Sequence, residues 1–348
     1  MFQDISIEHW FELRQAGEMT TIDVRSPGEF EEASIPGSVN VPFFNNEERT
    51  EVGTLYKQVG VQAAKDRGLE IISAKLPAFI REIGSIPGKK SVFCWRGGMR
   101  SRTTATLLSL MDIHVNRLTG GYRAYRNWLL EQLTTMDIAA SAVILNGLTG
   151  TGKTKILHRL EERGIAVLDL EGMAGHRGSI FGNIGLKANN QKMFDSLLFD
   201  QLQRAKQAPF LVFEAEAKRI GKIVQPELMV RKREEAKEIW IELPLEARIQ
   251  NLLNDYEPWN HQEECLIAFR KIKSTIHTPV AAEIDLCLRE EKYERAVMLL
   301  LLFYYDPKYE HSSSQRTPGS ETVIHARSTE EAALEVEKLL KNDFARAN

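Results

Sequence analysis

Val92-Phe93-Cys94-Trp95-Arg96-Gly97-Gly98-Met99-Arg100-Ser101 is the stretch that decides the fold of the first half of the chain. Two β-prone residues lead into a cysteine, a loop with two glycines follows, and residues 102–108 have a helix-like composition. A loop that closes onto a helix N-terminus aims main-chain N–H groups at one point, where the helix dipole adds positive potential. We therefore predict a strand, loop and helix that form an anion cradle around Cys94.

The residue types in this loop predict a nucleophilic cysteine. Gly97 and Gly98 permit the positive φ angles that a phosphate-sized nest requires. A Cys94 thiol held there is predicted to react as the thiolate, and Arg96 and Arg100 to bind an oxyanion beside it. A buried structural thiol is the ordinary alternative for an isolated cysteine. Two arginines and a Gly-Gly pair favour the reactive interpretation.

Short apolar strands alternate with helical segments on both sides of this loop. We predict an opening helix over 1–20, a strand over 20–25, a helix capped by Ser26, a helix over 62–83 and a strand over 115–118. This alternation is typical of an open parallel α/β sheet. Ligands bind such sheets beyond the carboxyl ends of the strands, which is where Cys94 is expected.

The second half opens with a new strand over 142–146 that runs into Gly147-Leu148-Thr149-Gly150-Thr151-Gly152-Lys153-Thr154. This is a complete Walker A element in the required context of a strand before it and a helix after it. Its glycines let N–H groups wrap a diphosphate, Lys153 neutralises phosphate oxygens, and the Thr154 hydroxyl can hold Mg²⁺. The residues predicted to bind phosphate are Gly97, Gly98, Gly147, Gly150, Thr151, Gly152, Lys153 and Thr154.

The segments after the Walker A element predict a P-loop NTPase or kinase-like α/β domain. An apolar strand over 209–214 ends in Glu214, as a Walker B strand would, although the Glu leaves dependence on Mg²⁺ open. A helical insertion is expected over about 250–305 and a loop over 306–321. A closing helix follows, capped by Ser328.

Residues 169–182 are dense in Gly, His, Arg and Ser directly after a strand, which indicates a functional loop. Taken alone, His176 would be structural, but Arg177 and Ser179 beside it favour a role in the site as acid, base or phosphate ligand. The further site residues predicted in this half are Glu171, His176, Arg177, Ser179, Glu214, Glu216 and Arg219.

Length and composition predict two domains, 1–136 and 137–348, in a chain of 348 residues with a formal net charge of −3. The three cysteines are far apart and have no metal-ligand spacing, so we predict no metal site and a reducing compartment, the cytoplasm. No signal peptide and no membrane-spanning stretch is expected. Contact with nucleic acid would have to come from local basic patches.

The first half resembles a rhodanese domain over about the first 130 residues. The resemblance is carried by 22–30, Ile35-Pro36-Gly37-Ser38, Cys94 and Leu118-Thr119-Gly120-Gly121-Tyr122. Arg100 lies six positions after Cys94, one more than is usual in rhodaneses and the same as in cysteine phosphatases. Phe93 stands where those phosphatases commonly carry His, so a phosphatase is less favoured, while the wider loop suits a phosphate-sized anion.

The two halves together resemble the tRNA 2-selenouridine synthase family across essentially the whole chain. The resemblance rests on the cysteine loop, the Walker A element, Leu170-Glu171-Gly172 with His176-Arg177-Gly178-Ser179, and Glu214-Ala215-Glu216 with Arg219-Ile220-Gly221. It implies selenation of the wobble 2-thiouridine in the tRNA anticodon loop, with selenophosphate as the selenium donor. It also implies S-geranylation from geranyl diphosphate as the preceding step, and no tightly bound cofactor. Cys94 is then expected to carry or activate selenium, and a purely anchoring role stays open.

Contacts with tRNA are expected to be electrostatic, through Lys218, Lys222, Arg231, Lys232 and Arg233. Trp259 is a candidate for stacking on a base, although core packing is the default expectation. Two alternatives stay open: a P-loop kinase or ATPase regulated by a rhodanese module, and a persulfide sulfurtransferase. The first predicts turnover of Mg-ATP with a dispensable Cys94, and the second a persulfide on Cys94 with no need for Lys153.

Overall fold

The computed structural model describes residues 2–308 and 321–347, and the chain divides into two compact units, Met1–Thr135 and Met136–Asn348. Each unit is an α/β domain around a five-stranded parallel sheet, which confirms the predicted fold class.

The sheet of the first unit has the strand order β1-β5-β4-β2-β3. The strands are β1 (Gln3–Ile5), β2 (Met19–Asp23), β3 (Val39–Asn40), β4 (Lys89–Phe93) and β5 (Asn116–Leu118). The helices are α1 (Ile7–Gln15), α2 (Pro27–Glu32), α3 (Asn46–Gln58), α4 (Val61–Ser85), α5 (Met99–Leu110) and α6 (Gly121–Thr135). Because β4 lies at the centre, the loop that carries Cys94 is flanked by the loops that follow β2 and β5.

Two local predictions for this unit have different outcomes. The helix after Ser26 is confirmed: the Ser26 side chain accepts from the Glu29 N–H, and the Glu29 side chain accepts in return from the Ser26 N–H. The opening helix over 1–20 is wrong, because Gln3–Ile5 form a strand that pairs in parallel with Asn116–Leu118, and the helix spans only Ile7–Gln15. Pairing with a strand far along the chain overrides the local helical pattern there.

The sheet of the second unit has the strand order β12-β11-β6-β8-β7. These strands are β6 (Ser141–Gly147), β7 (Val167–Leu168), β8 (Phe210–Glu214), β11 (Lys237–Glu242) and β12 (Glu321–His325), and a separate antiparallel hairpin joins β9 (Arg219–Ile220) to β10 (Ile223–Val224). The P-loop thus leaves the central strand β6, and the loops after β7 and β8 open at the same edge of the sheet.

The helices of the second unit include most of the predicted helical insertion. They are α7 (Lys153–Glu162), α8 (Leu170–Ala174), α9 (Gln191–Arg204), α10 (Glu227–Glu234), α11 (Leu245–Tyr256), α12 (Gln262–Arg270), α13 (Thr278–Arg289), α14 (Tyr293–Leu300) and α15 (Thr329–Ala347), with a 3-10 turn at Lys273–Thr275 and a π-helical turn at Leu301–Tyr305. Helices α12 to α14 pack around their own apolar core, which contains Phe269, Ile284 and Leu299.

The end of the chain also tests two predictions. The Glu331 N–H donates to the Ser328 hydroxyl, which confirms the cap of the closing helix. The loop predicted over 306–321 lies mostly outside the described residues, and the part that is described, 306–308, is helical. No helix in the described parts of the chain is long and apolar enough to cross a membrane.

Candidate functional site

Cys94 lies at the carboxyl end of the central strand β4 and is 3% exposed. Its Sγ is 3.2 Å from the hydroxyl of Ser101, which lies in the first turn of α5 and is fully buried. A hydroxyl at this distance can donate to a thiolate and stabilise it. The thiol is therefore held by the helix that follows the loop.

The cysteine loop is braced by the loop that follows β5. The Tyr122 N–H donates to the Cys94 carbonyl and the Arg123 N–H to the Trp95 carbonyl, both at 2.9 Å. Gly121 has φ +59° and leaves no room for a side chain, since a Cβ there would lie 2.5 Å from the Gly97 nitrogen and closer still to the Cys94 carbonyl oxygen. The two loops therefore approach each other through main chain alone.

A buried ion pair behind these loops is a feature that the sequence analysis did not single out as part of the site. Arg25 and Asp23 are both essentially unexposed, and two donor nitrogens of Arg25 contact the Asp23 carboxylate at 2.6–3.0 Å. The Arg25 guanidinium also stacks on the Tyr122 ring at 4.3 Å from its centroid. The pair thus supports the segment that braces the cysteine loop. The sequence feature that could have indicated this pair is an acid and an arginine two positions apart at the end of a buried strand.

The two arginines predicted beside Cys94 have different surroundings. Arg100 donates to both oxygens of Glu29, at 2.5 and 3.1 Å, whereas Arg96 is exposed. Burial lowers the pKa of Arg100, but the hydrogen bonds and charge of Glu29 outweigh it and hold the pKa above its usual value. A third arginine, Arg117, donates to the Gly97 carbonyl at 2.7 Å and so fixes the loop from the side of β5.

The Walker A residues form a wrapped loop at the end of β6. Gly147, Gly150 and Gly152 all have positive φ, at +148°, +85° and +72°. Thr151 is buried, and its hydroxyl donates to the Leu148 carbonyl at 2.9 Å, which closes the loop on itself. The Lys153 ammonium donates to the Gly147 carbonyl at 3.1 Å. The loop therefore has the shape of a phosphate nest, with a lysine at its mouth.

Helix α11 supports the P-loop from outside. Arg248 is 4% exposed, its Nε donates to the Thr149 carbonyl at 2.8 Å, and its other nitrogens donate to both carboxylate oxygens of Asp306 at 3.0 and 2.6 Å. Asn251, one turn further, donates to the Gly150 carbonyl at 2.9 Å. These bonds engage two carbonyls of the P-loop and so fix its main chain from the side of α11.

Carboxyl groups from the loops after β7 and β8 face the P-loop. The Thr154 hydroxyl is 3.3 Å from Glu171 Oε2, and a Cβ on Gly178 would lie within 3.1 Å of both the Glu171 and the Glu216 carboxylates. Burial and the neighbouring Glu216 raise the pKa of Glu171 to about 8, although Lys153 opposes the shift. Burial raises the pKa of Glu216 as well.

Glu214 lies deeper than these two residues, at the end of β8. One of its oxygens accepts from the Leu170 N–H at 3.1 Å, and the other has no partner among the described residues. Burial raises its pKa well above the usual range, and the charges of Asp169 and Glu171 add to the shift. No cluster of three or more metal-ligating side chains is present among the residues that the structure describes.

The loop predicted around His176 is ordered by contacts of two kinds. The His176 ring lies between Gly182 and Gly221, where a Cβ on either glycine would come within 2.9 Å of it, and burial lowers the pKa of His176. Arg177 stacks on the ring of Tyr256 at 4.8 Å, and the Ser179 hydroxyl is 3.2 Å from the Tyr256 hydroxyl. This loop thus joins the β9–β10 hairpin to the end of α11.

An apolar cavity adjoins the P-loop. Its wall includes Thr149 of the P-loop, Phe181 of the His176 loop, and Leu252 and Tyr256 of α11. The rest of the wall comes mostly from the helical insertion and consists of Pro258, Cys265, Leu288, Tyr293, Val297, Leu300, Leu301 and Tyr305. No sequence motif indicates such a cavity, because its wall is assembled from segments about 150 residues apart.

The basic residues predicted to contact tRNA are mostly exposed. Lys218, Arg219, Lys222, Arg231 and Arg233 are exposed, whereas Lys232 is half-buried and 3.3 Å from Glu235. The Arg233 guanidinium donates to the Glu216 main-chain carbonyl at 2.6 Å, which connects this surface to the loop after β8 that carries Glu216. Trp259 is 53% exposed, so the default expectation that it packs in the core is wrong.

Fold and site together define a two-domain α/β protein that carries a rhodanese-type cysteine loop and a P-loop in one chain. A family model of the rhodanese-like domain matches residues 9–127, and a model of the AAA domain of tRNA 2-selenouridine synthase matches residues 140–269. The chain belongs to the tRNA 2-selenouridine synthase family.

Curated relatives support this membership over most of the chain. The tRNA 2-selenouridine synthase of Sulfurovum sp. (strain NBC37-1) is 32% identical over 323 residues, which cover 83% of this chain and 87% of that protein. The tRNA 2-selenouridine synthase of Pseudomonas putida (strain GB-1) is 34% identical over 355 aligned positions, with 92% and 93% of the two chains covered.

Proposed function

We propose that the protein converts the wobble 2-thiouridine of tRNA into 2-selenouridine in two steps. The first is S-geranylation from geranyl diphosphate at the P-loop, and the second is replacement of the geranylthio group by selenium from selenophosphate. Both compounds act as co-substrates, and no cofactor stays bound between turnovers. The free thiols of Cys94, Cys265 and Cys287 fit a reducing compartment, the cytoplasm, where tRNA is available.

The observation that carries the proposal is the apolar cavity that shares Thr149 with the P-loop. A nucleotide base would need polar partners next to its phosphates, whereas this wall offers aliphatic and aromatic side chains. A prenyl diphosphate presents the matching combination of a diphosphate for the nest and a hydrocarbon chain, of which the part next to the diphosphate would fill this cavity of about 60 Å³. This favours a prenyl diphosphate over the nucleotide of a kinase or ATPase.

In the first step the sulfur of 2-thiouridine attacks C1 of the geranyl group. The C1–O bond breaks, the C1–S bond forms, the diphosphate leaves, and the N3 proton of the base is released. The leaving diphosphate gains charge in the transition state, and Lys153 with the N–H groups of the P-loop stabilises that charge. Arg248 and Asn251 keep the loop in this geometry through the Thr149 and Gly150 carbonyls.

In the second step a Se–C2 bond forms, the C2–S bond breaks, and geranyl thiol leaves. The phosphoryl group passes from selenium to water. The main-chain cradle between Cys94 and α5 would hold the phosphate part of selenophosphate, with Arg96 beside it. Cys94, kept in place by Ser101, would activate the selenophosphate as a thiolate, with no change in the oxidation state of selenium.

Mg²⁺ would fit at the P-loop through oxygen ligands. The Thr154 hydroxyl and the Glu171 carboxylate lie together beside the lysine of the P-loop, and hard cations prefer such oxygens together with those of a diphosphate. When bound, the ion would neutralise charge on the leaving diphosphate.

The tRNA would lie on the exposed basic surface of the second unit. Lys218 directly precedes β9, Lys222 lies in the turn between β9 and β10, and Arg231 lies on α10. Such residues would contact phosphates and position the anticodon loop, while an unstacked base enters the site.

The test follows a thiolated tRNA by nucleoside mass spectrometry, first with geranyl diphosphate and then with selenophosphate. We expect geranylated and then selenated uridine from the wild type, failure of Lys153→Ala in the first step and failure of Cys94→Ala in the second. Lys155→Ala and Cys287→Ala are the matched controls. Lys155 lies on α7 like Lys153 but pairs with Asp255 of α11, and Cys287 is a buried thiol in the apolar core of helices α12 to α14. If no base changes mass while the protein hydrolyses ATP, the proposal is wrong and the kinase or ATPase alternative replaces it.

A further inference from the structure

A large open groove lies in the first unit, between helices α3 and α4 and the start of α5. Its volume is about 750 Å³, and apolar side chains such as Phe43, Phe44 and Ile72 line it. Leu69 and Met99, also in its wall, are 65% and 56% exposed. A volume in the range of 300–1,000 Å³ is that of small-molecule sites, and large apolar side chains exposed together mark a binding surface.

The charged residues of this groove all have the same sign. Arg49, Lys57, Lys65 and Arg100 lie in its wall, which contains no carboxylate among its lining residues. Arg49 and Arg100 share Glu29 behind the wall, whereas Lys57 and Lys65 form no ion pair with any residue that the structure describes. The groove therefore combines an apolar surface with a cationic rim, which suits an occupant that is both hydrocarbon and polyanionic.

The groove adjoins the cysteine loop where α5 begins. Met99 and Arg100 line the groove, and they follow Gly98, the residue that caps α5 and ends the loop that begins at Cys94. A molecule bound along the groove with its reacting carbon near Gly98 would therefore lie next to the cradle that holds the selenium donor. In the second step the hydrocarbon chain belongs to the reactant, the geranylated uridine, and the selenated product no longer carries it.

We propose that this groove binds the prenyl chain of the S-geranylated wobble uridine during the second step, with phosphates of the anticodon loop on its cationic rim. This inference rests on the proposed function and assigns to its second step a chain-binding site separate from the cavity at the P-loop. The chain leaves as geranyl thiol, so a site that binds it in the intermediate also distinguishes geranylated from unmodified tRNA.

The test compares the affinity of the full-length protein for two synthetic anticodon stem-loops, one with S-geranyl-2-thiouridine and one with 2-thiouridine at the wobble position. Leu69→Glu places a charge in the groove at an exposed position of α4, so folding is preserved. Leu110→Glu is the matched control, since Leu110 is 74% exposed in the same unit and does not line the groove. We expect Leu69→Glu to weaken binding of the geranylated RNA about tenfold, while Leu110→Glu does not change it.

The same variants are then assayed in both steps of the reaction. Leu69→Glu should geranylate thiolated tRNA and bind geranyl diphosphate as the wild type does, and then accumulate geranylated tRNA when selenophosphate is added. An unchanged preference for the geranylated RNA overturns the inference, and so does an equal loss for both RNAs, which would make the groove an RNA site. A loss confined to geranyl diphosphate overturns it as well. If the wild type forms no geranylated tRNA, the proposed function itself fails, whatever the binding data show.

Discussion

Replacement of Gly121 by alanine should disrupt the cysteine loop more than any local conformational penalty explains. Gly121 has φ +59°, and an added Cβ would lie 2.5 Å from the Gly97 nitrogen and closer to the Cys94 carbonyl oxygen. Both atoms are main chain, so neither can rotate away as the end of a flexible side chain would. The Cβ can be accommodated only if the two loops separate.

The size of the effect can be estimated from two parts. A non-glycine residue in the left-handed region costs about 1–2 kcal/mol, and overpacking at a tight contact adds about 1–3 kcal/mol. Gly88→Ala isolates the first part, because Gly88 has φ +76° and an added Cβ there would meet nothing within 4 Å. We therefore expect Gly121→Ala to destabilise the first unit by about 2–5 kcal/mol and Gly88→Ala by about 1–2 kcal/mol.

The assay is urea denaturation combined with hydrogen exchange of peptides from α5 and α6, which reports on the first unit separately. The separation of the loops should also expose Cys94, so its alkylation by iodoacetamide should accelerate in Gly121→Ala and not in Gly88→Ala. Equal free energies of unfolding for the two variants would refute the reasoning that the main-chain contact to Cys94 holds the loop closed.

Three further predictions concern charged groups. Arg248→Met should destabilise the second unit by about 3 kcal/mol and weaken the binding of inorganic pyrophosphate, whereas Arg248→Lys should recover part of the stability. Calorimetric titration with pyrophosphate measures the affinity, and an unchanged affinity in the Met variant would contradict the prediction. Glu214 binds its proton more tightly folded than unfolded, because burial raises its pKa, so its contribution to stability falls as pH rises from about 4.5 towards the folded-state pKa. Glu214→Gln should therefore melt higher than the wild type at pH 8 and show a flatter pH dependence; an equal pH slope for both proteins would count against this. Glu29→Gln should release Arg100 towards the cysteine loop and strengthen protection of Cys94 by phosphate severalfold in alkylation assays; unchanged protection would mean that Arg100 does not face the cradle.

The parts of the site that could be predicted from the sequence are those built by short contiguous segments. The Walker A element and the cysteine loop each follow a strand and precede a helix, so their glycines and their lysine or cysteine determine the local geometry. The capping box of α2 is likewise complete within Ser26 and Glu29.

The features that escaped prediction depend on residues far apart in the chain. The strand at Gln3–Ile5 exists because Asn116–Leu118 pairs with it, and Arg100 pairs with a glutamate 71 positions earlier. The apolar cavity at the P-loop and the groove beside α5 are likewise formed by the packing of separate segments, which no local pattern encodes. The exposure of Trp259 could not be foreseen either, since burial of an aromatic side chain is decided by its tertiary neighbours.

The support of the P-loop by Arg248 has a consequence for protein engineering. The Asp306 partner of Arg248 lies at the far end of the helical insertion, 58 positions along the chain. Excising the insertion to obtain a minimal phosphate-binding module would therefore leave a buried guanidinium without its counter-ion directly behind the loop. Truncated versions of this domain should be cut after Asp306 or redesigned at position 248, since the insertion and the P-loop are not separable parts.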